Sequence, residues 1–240
     1  MRVAFIGTGG IARRHLQALG HIGGVEIVGH LSRDAARARQ AAAHWGGEPY
    51  TDLHGLLDEG KPDAVWITVT PELHGRPELT LIERDIPCFV EKPRSADRAT
   101  ARRIAGALRG SELVTCVGYQ WRALDYLDEV RTMLAQEPAH LALGSWLGSL
   151  PPPPWWRQRS RSGGQIVEQA THLLDLARHL LGEAHVLHAA EGEANPAPEA
   201  DVPAVATATL RFEGGTLGVF TATSLLGSTS EVGLRLVLPG

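Results

Sequence analysis

The sequence predicts an α/β fold: a doubly wound parallel sheet followed by an α+β domain with an open, mostly antiparallel sheet. Three observations carry this. Short apolar runs alternate with helix-like segments through the first half, as expected of parallel strands joined by helical crossovers. In the second half one long amphipathic stretch precedes a series of β-rich runs. The style changes near residues 118–120, so the domains are read as 1–118 and 119–240.

The first-half strands are read at residues 3–6, 25–31, 64–69, 86–90 and 113–117. Each is short, partly β-branched and bounded by Gly, Pro or polar residues. Between them, residues 11–19, 35–45, 53–59, 73–84 and 97–108 carry helix formers with apolar positions three and four apart, such as Ile104, Ala107 and Leu108. In the second half, 126–134 reads as a helix and 139–147 as a strand. Pro151 to Pro154 then forbid helix and central strand alike. A helix is predicted over 166–181, ending at Gly182. Strands follow at 204–212, 216–223 and 232–238, with Gly214-Gly215 as a hairpin turn between the first two. Residues 193–201 read as a surface loop.

With 240 residues and 43% hydrophobic content, the chain can bury a sizeable core. Lys and Arg total 23 against 27 Asp and Glu, a net charge of −4, so no basic excess points to nucleic acid. No apolar run approaches the roughly 18 residues of a membrane span, and Gly7 comes too early for a signal peptide. Cys88 and Cys116 form no CxxC pair, which argues against a disulfide framework or a zinc site. A cytoplasmic protein without membrane or nucleic-acid partner is expected, and no metal site.

Gly7-Thr8-Gly9-Gly10-Ile11-Ala12 follows the first strand and opens the first helix. Gly7 permits the tight turn, Gly9 admits close approach of a pyrophosphate, and Ala12 allows close helix–strand packing. The helix N-terminus supplies free N–H groups and partial positive charge. This is the dinucleotide fingerprint of a Rossmann domain. At the end of the second strand, Ser32 and Arg33 offer a hydroxyl and a guanidinium for a 2′-phosphate. Asp34 comes late and reads as the start of the next helix. NADP or NAD is therefore expected, with NADP favoured.

Further motifs follow in order. Thr70-Pro71-Glu72-Leu73-His74 closes one strand and Glu91-Lys92-Pro93 the next. Gly163-Gly164 leads into a stretch with Glu168, His172 and Asp175. Together with the glycine-rich turn, this order and spacing resembles the glucose–fructose oxidoreductase / inositol dehydrogenase (Gfo/Idh/MocA) family over nearly the whole chain. The resemblance implies an NAD(P)-dependent oxidoreductase acting on a sugar, polyol or related carbonyl compound. It also implies a homo-oligomer joined through the C-terminal sheet. By the same resemblance, Thr70, Pro71 and His74 match the loop alongside the nicotinamide. Glu91 and Lys92 match the cofactor and active-site pair. Tyr119-Gln120 matches the segment entering the second domain, with Gln120 a cofactor contact, and Trp156-Arg157 a further cofactor-contacting segment.

The chemistry of the residues agrees. Lys92 sits past a strand's C-terminal end, where open α/β sheets bind ligands, and its ammonium can stabilise a developing alkoxide. His172 is the candidate general acid/base. Glu168 four residues earlier and Asp175 three later are read as sharing its helix face. Glu168 stands where many family members carry Asp; it is assigned to orienting His172, touching substrate, or structure. Asp175 has Arg178 as an alternative partner. His15, His44, His54, His179, His185 and His188 read as surface or packing residues, and both cysteines as core. Trp155 packs over the cofactor cleft or plugs a domain seam. The chain stops at Pro239-Gly240 without a closing helix, so the second domain is read as incomplete, from a shortened member or a truncated chain. Two other functions remain open: an NAD-retaining hydrolase or eliminase, and a non-catalytic dinucleotide-binding protein.

Overall fold

The computed structural model describes residues 1–239. The chain divides into two compact units, Met1–Gly118 and Tyr119–Gly240.

The first unit runs β1 (Arg2–Ile6), α1 (Gly10–Leu19), β2 (Glu26–Leu31), α2 (Ala35–Trp45), β3 (Glu48–Tyr50), α3 (Leu53–Gly60), β4 (Ala64–Ile67), α4 (Arg76–Glu83), β5 (Cys88–Val90), α5 (Arg98–Ala107) and β6 (Thr115–Val117). The six strands form one parallel sheet in the order β3-β2-β1-β4-β5-β6. The order reverses direction between β1 and β4, the switch point at which such sheets bind ligands.

Strand alternation sorts the side chains into two layers. Ala4, Ile6, Val65, Ile67, Cys88 and Val90 face one way and pack with Leu53, Leu56 and Leu57 of α3 and Leu81 of α4. Val3 and Phe5 face the other way, against Ala12, Leu16 and Leu19 of α1. On that second face the registered strand neighbours form a ladder of rings. His30 lies 6.2 Å from Phe5, Phe5 6.1 Å from Trp66, and Trp66 5.7 Å from Phe89, centroid to centroid. Burial holds the His30 imidazole below its ordinary titration range, partly offset by its bond to the Gly46 carbonyl.

Two first-half readings are corrected. Strand β3 is absent from the sequence reading because it is three residues long and contains Pro49. Proline fits here because β3 is an edge strand. The helix read from residue 73 begins at Arg76. Pro71–Leu73 form a separate 3₁₀ turn, and Gly75, at φ +113°, breaks the chain direction before α4.

The second unit runs α6 (Leu127–Gln136), β7 (Leu141–Leu147), α7 (Arg159–Ser162), α8 (Gln165–Glu168), α9 (Thr171–Leu181), β8 (Ala184–Glu191), β9 (Val205–Phe212), β10 (Leu217–Thr223) and β11 (Glu231–Val237). Its sheet order is β11-β7-β10-β9-β8, antiparallel except for the parallel β7–β10 pair. Leu173 and Ala177 of α9 pack on Leu210, Phe212, Phe220 and Ala222 of the sheet. Leu217 and Val219 alternate to the opposite, exposed side.

The helix read over 166–181 is broken in two. Gln165 at the start of α8 is tied to β10, its Nε2 donating to the Thr223 carbonyl (2.8 Å) and to Gln169 Oε1 (3.2 Å). The chain then turns through Gln169 and Ala170 before α9 begins. Part of the loop read over 193–201 is anchored rather than free: Ala200, with Val202 beyond it, is buried with Trp156.

Phe5 is fully buried at the centre of the ring ladder. Phe5→Ala is expected to cost about 3–5 kcal/mol in urea unfolding. The two cysteines should separate by reactivity. Cys116 is exposed, which corrects its reading as a core residue, because β6 is an edge strand of the sheet, whereas burial, with Glu78 nearby, pushes the Cys88 thiol up to about 11. A thiol reagent at pH 8 is expected to label Cys116 in the native protein and Cys88 only in denaturant, read by peptide mass.

Candidate functional site

The first unit gathers its candidate residues at the C-terminal ends of β1, β4 and β5. Gly7 leaves β1 at φ +100°, where a Cβ would lie 2.6 Å from the Thr68 carbonyl oxygen. Only glycine fits there. The turn is fastened on both sides. Gly7 N donates to the Leu31 carbonyl (2.9 Å), and Thr68 Oγ1 donates to the carbonyls of Ile6 and Gly7 (both 3.1 Å).

Gly9 then caps α1, and no side chain bonds the opening turn. A Cβ at Gly9 or Gly10 would meet nothing within 4 Å. The first N–H groups of α1 therefore face an unobstructed approach, a cradle that fits a diphosphate. Beside it opens a cleft of about 700 Å³, lined by Thr8, Arg13, Arg37 and His44 among others. Ile11 is half-buried, and Ala12 is buried against the sheet as its small size allows.

At the end of β2, Ser32 Oγ accepts from Asp34 N (3.2 Å) and Arg33 is exposed. Asp34 is the N-cap of α2, its Oδ1 accepting from Ala36 N (2.9 Å) and Arg37 N (3.4 Å). Its carboxylate is thus engaged with its own helix.

After β4, Thr70 precedes the 3₁₀ turn and Pro71 is buried. The His74 side chain is fully buried, its Nδ1 bonded to Glu78 Oε1, while Glu78 Oε2 accepts from Gly75 N (2.6 Å). This arrangement fixes the start of α4. His74 therefore holds, from inside, the loop read as lying alongside the nicotinamide.

Beyond β5, Glu91 is buried and both its carboxylate oxygens are engaged. His15 Nε2 lies 2.7 Å from Oε1, and Lys92 N donates to Oε2 at 3.0 Å. Gly118 makes room, since a Cβ there would lie 3.1 Å from Oε1. The Glu91 carboxylate thus links His15 to the Lys92 backbone. Lys92 is half-buried and joins Pro93 by a cis peptide.

In the second unit, Tyr119 OH pairs with Thr171 Oγ1 (3.1 Å) and Gln120 is exposed. His172 is buried on the first turn of α9 within an aromatic frame. Trp121 and Trp146 lie near-parallel to its ring at 5.7 and 6.1 Å, and Tyr119 meets it edge-on at 6.0 Å. Asp175 is gripped by Arg122 through two bonds of 2.6 and 2.7 Å, while Arg178 pairs with Glu183 instead. The Asp175–Arg178 reading is corrected accordingly: Arg122 approaches from another element with a fork that matches both oxygens.

Glu168 belongs to α8 and His172 to α9, so the two do not lie on one continuous helix. Its Oε2 accepts from Trp156 Nε1 at 3.1 Å. Trp156 is only 1% exposed and packs with Ala200 and Val202, which leaves no ring face for a cofactor. Arg157 pairs with Glu199. Trp155 packs on the same Trp156 cluster.

Sequence reasoning missed His15, Arg122 and the two indoles around His172. His15 had a signal, being three residues beyond Ala12 on the sheet-facing side of α1. Its partner, 76 positions away, carried none. Among the described residues no His, Cys, Asp and Glu cluster of metal-binding geometry occurs, and no helix is long and apolar enough to cross a membrane.

Residues 1–119 match the domain family described as the GFO_IDH_MocA oxidoreductase family, NAD-binding Rossmann fold, and residues 138–238 match its C-terminal domain. The chain is 29% identical over 223 residues to the dTDP-3,4-didehydro-2,6-dideoxy-alpha-D-glucose 3-reductase of Saccharopolyspora spinosa, covering 90% of this chain and 66% of that protein. It resembles the WlbA dehydrogenase of Bordetella pertussis, solved with NADH and UDP-GlcNAcA, at TM-score 0.88 and 21% identity, covering 99% of this chain and 76% of that one. It also resembles KijD10, a 3-ketoreductase of Actinomadura kijaniata solved with NADP and TDP-benzene, at TM-score 0.86 and 22% identity, covering 99% and 73%. The chain spans about half to two thirds of the length of curated relatives that it matches along most of itself.

The glycine turn yields a paired prediction. Gly7→Ala forces both a disfavoured φ and an approach to the Thr68 carbonyl, and is expected to cost about 2 kcal/mol or more in urea unfolding. Gly10→Ala, which meets nothing, is expected to stay within about 0.5 kcal/mol of the parent or above it.

Proposed function

The chain belongs to the Gfo/Idh/MocA oxidoreductase family, and on that premise we propose that it is an NAD(P)-dependent oxidoreductase of a sugar, polyol or related hydroxy or carbonyl compound. The carrying observation is the unobstructed α1 N-terminus, on the same sheet end as Lys92. NADH with UDP-GlcNAcA in one structural neighbour, and NADP with TDP-benzene in another, support the reading.

The dinucleotide is held by the backbone of Gly7 to Ala12, with Thr70 and Gln120 as further candidate contacts. Bound there, the nicotinamide supplies the hydride acceptor or donor. NADP is favoured because Arg33 is exposed at the end of β2, Arg37 lines the adjoining cleft, and Asp34 is engaged in capping α2. A free carboxylate at that place would instead repel a 2′-phosphate.

Lys92 steadies the reacting oxygen as alkoxide charge develops. His172 takes the hydroxyl proton in oxidation and returns it in reduction. The flanking indole faces of Trp121 and Trp146 favour the imidazolium that this transfer creates. Glu168, held by the Trp156 indole, is assigned to a substrate hydroxyl. The exposed face of the second sheet, with Leu217 and Val219, is assigned to pairing with another copy of the chain.

Lys92→Ala and His172→Ala are each expected to lower kcat by about a hundredfold or more on a panel of aldoses, polyols and sugar nucleotides. Calorimetric affinity for the dinucleotide should stay within about threefold. Wild-type turnover in both variants would sink the assignment. Release of no reduced cofactor during turnover would point to the retaining hydrolase or eliminase, and binding without turnover to a sensor. Side-by-side titration of NAD and NADP is expected to favour NADP, with Arg33→Ala reducing that preference about tenfold.

A further inference from the structure

We propose that His15 is a positioning residue for Lys92, acting through Glu91. The inference rests on the reading of Lys92 given above, and its geometry lies wholly within the first unit. The Glu91 side chain is only 7% exposed. Its two oxygens do different work. Oε1 faces His15 Nε2 at 2.7 Å, and Oε2 accepts from the backbone N–H of Lys92 at 3.0 Å. An ionised carboxylate only accepts, so Nε2 is the nitrogen carrying the proton. The carboxylate therefore links an imidazole on α1 to the peptide that carries the ammonium.

Each link is held from a second side. The His15 ring meets Phe89 edge-on at 4.9 Å, and Phe89 closes the ring ladder that crosses β2, β1, β4 and β5. Glu91 N donates to the Ile67 carbonyl at 2.8 Å, which continues the sheet pairing one residue past β5. Gly118 leaves the space in which the carboxylate lies. With the acid anchored at both oxygens and the strand anchored at its neighbour, the Lys92 backbone has one seat. Without His15, Oε1 loses its donor, and a buried carboxylate lacking a partner re-orients or recruits water. Its hold on the Lys92 amide changes with it.

The same helix that offers its N-terminus at Gly9 and Gly10 thus carries the clamp at His15. The position of Lys92 is set by the element that receives the diphosphate. A change of a fraction of an ångström in the ammonium alters stabilisation of a developing alkoxide without altering the cradle itself. The expected signature is a fall in kcat with little change in dinucleotide affinity.

The composition makes the test direct. Lys61 and Lys92 are the only lysines in the sequence. Reductive ¹³C-methylation therefore gives two lysine signals by NMR, separable by a Lys92→Arg control, and Lys61 serves as an internal reference. In full-length His15→Ala the Lys92 signal is expected to move or broaden while Lys61 stays fixed. In unmethylated protein, kcat on the sugar and polyol panel should fall about tenfold or more, with NAD affinity by calorimetry within about twofold. His15→Gln, which can still donate to Oε1, should recover kcat to within about threefold and restore the Lys92 signal. The His15→Ala/Lys92→Ala double variant should be no worse than Lys92→Ala alone, since one acts through the other. An unmoved Lys92 signal in His15→Ala, or losses that multiply in the double variant, overturns the proposal. If Lys92→Ala keeps full turnover, the role of Lys92 fails, while the NMR arm still decides whether His15 seats it. Should His15→Ala not fold, Glu91→Gln is read in the same NMR assay, and an unmoved Lys92 signal there also overturns the clamp.

Discussion

The approach of Gly7 to Thr68 is the constraint on which the first unit depends. A main chain leaving β1 at positive φ passes so near the end of β4 that no Cβ fits between them. The hydroxyl of Thr68 then ties the two strand ends together. This junction is where the sheet reverses its order, and α1 opens just beyond it with no side-chain cap on its first N–H groups. A larger residue at position 7 would have to move a strand end, and the cradle would move with it.

From that junction, order spreads through side chains that repeat across parallel neighbours. In-register strands put His30, Phe5, Trp66 and Phe89 side by side on one face, while aliphatic residues fill the other. Within this layer Phe5 and Trp66 each have a ring on either side. His15 ends the row, and through it the ladder reaches Glu91. The hydrophobic layer and the polar pair above it thus act on the same short segment after β5.

The second unit solves a different problem. His172 is framed by three aromatic rings. Asp175 is neutralised by the Arg122 fork and Glu168 is held in a separate short helix. The π faces around the imidazole help to fix its orientation, and the charge it gains on protonation is met by the indoles. The two glycines before α8 both adopt positive φ, and Gln165 ties α8 to β10. Together they account for the break between α8 and α9.

The sequence by itself determined the parts that depend on local pattern. Alternating apolar runs marked five of the six parallel strands, and the glycine turn announced the cradle, because backbone sterics act within a few residues. The four ordered motifs pointed to the family by resemblance, through their order and spacing along the chain. Tertiary structure alone decided which polar groups meet. It paired His15 with Glu91, Arg122 with Asp175 and Trp156 with Glu168, and it buried His74 and Trp156, which the sequence had offered to a cofactor. Those partners lie on separate elements or across a chain turn, so no periodicity encodes them. Burial then enforces the choice, since a charged or polar group withdrawn from water must find whatever partner the packing delivers.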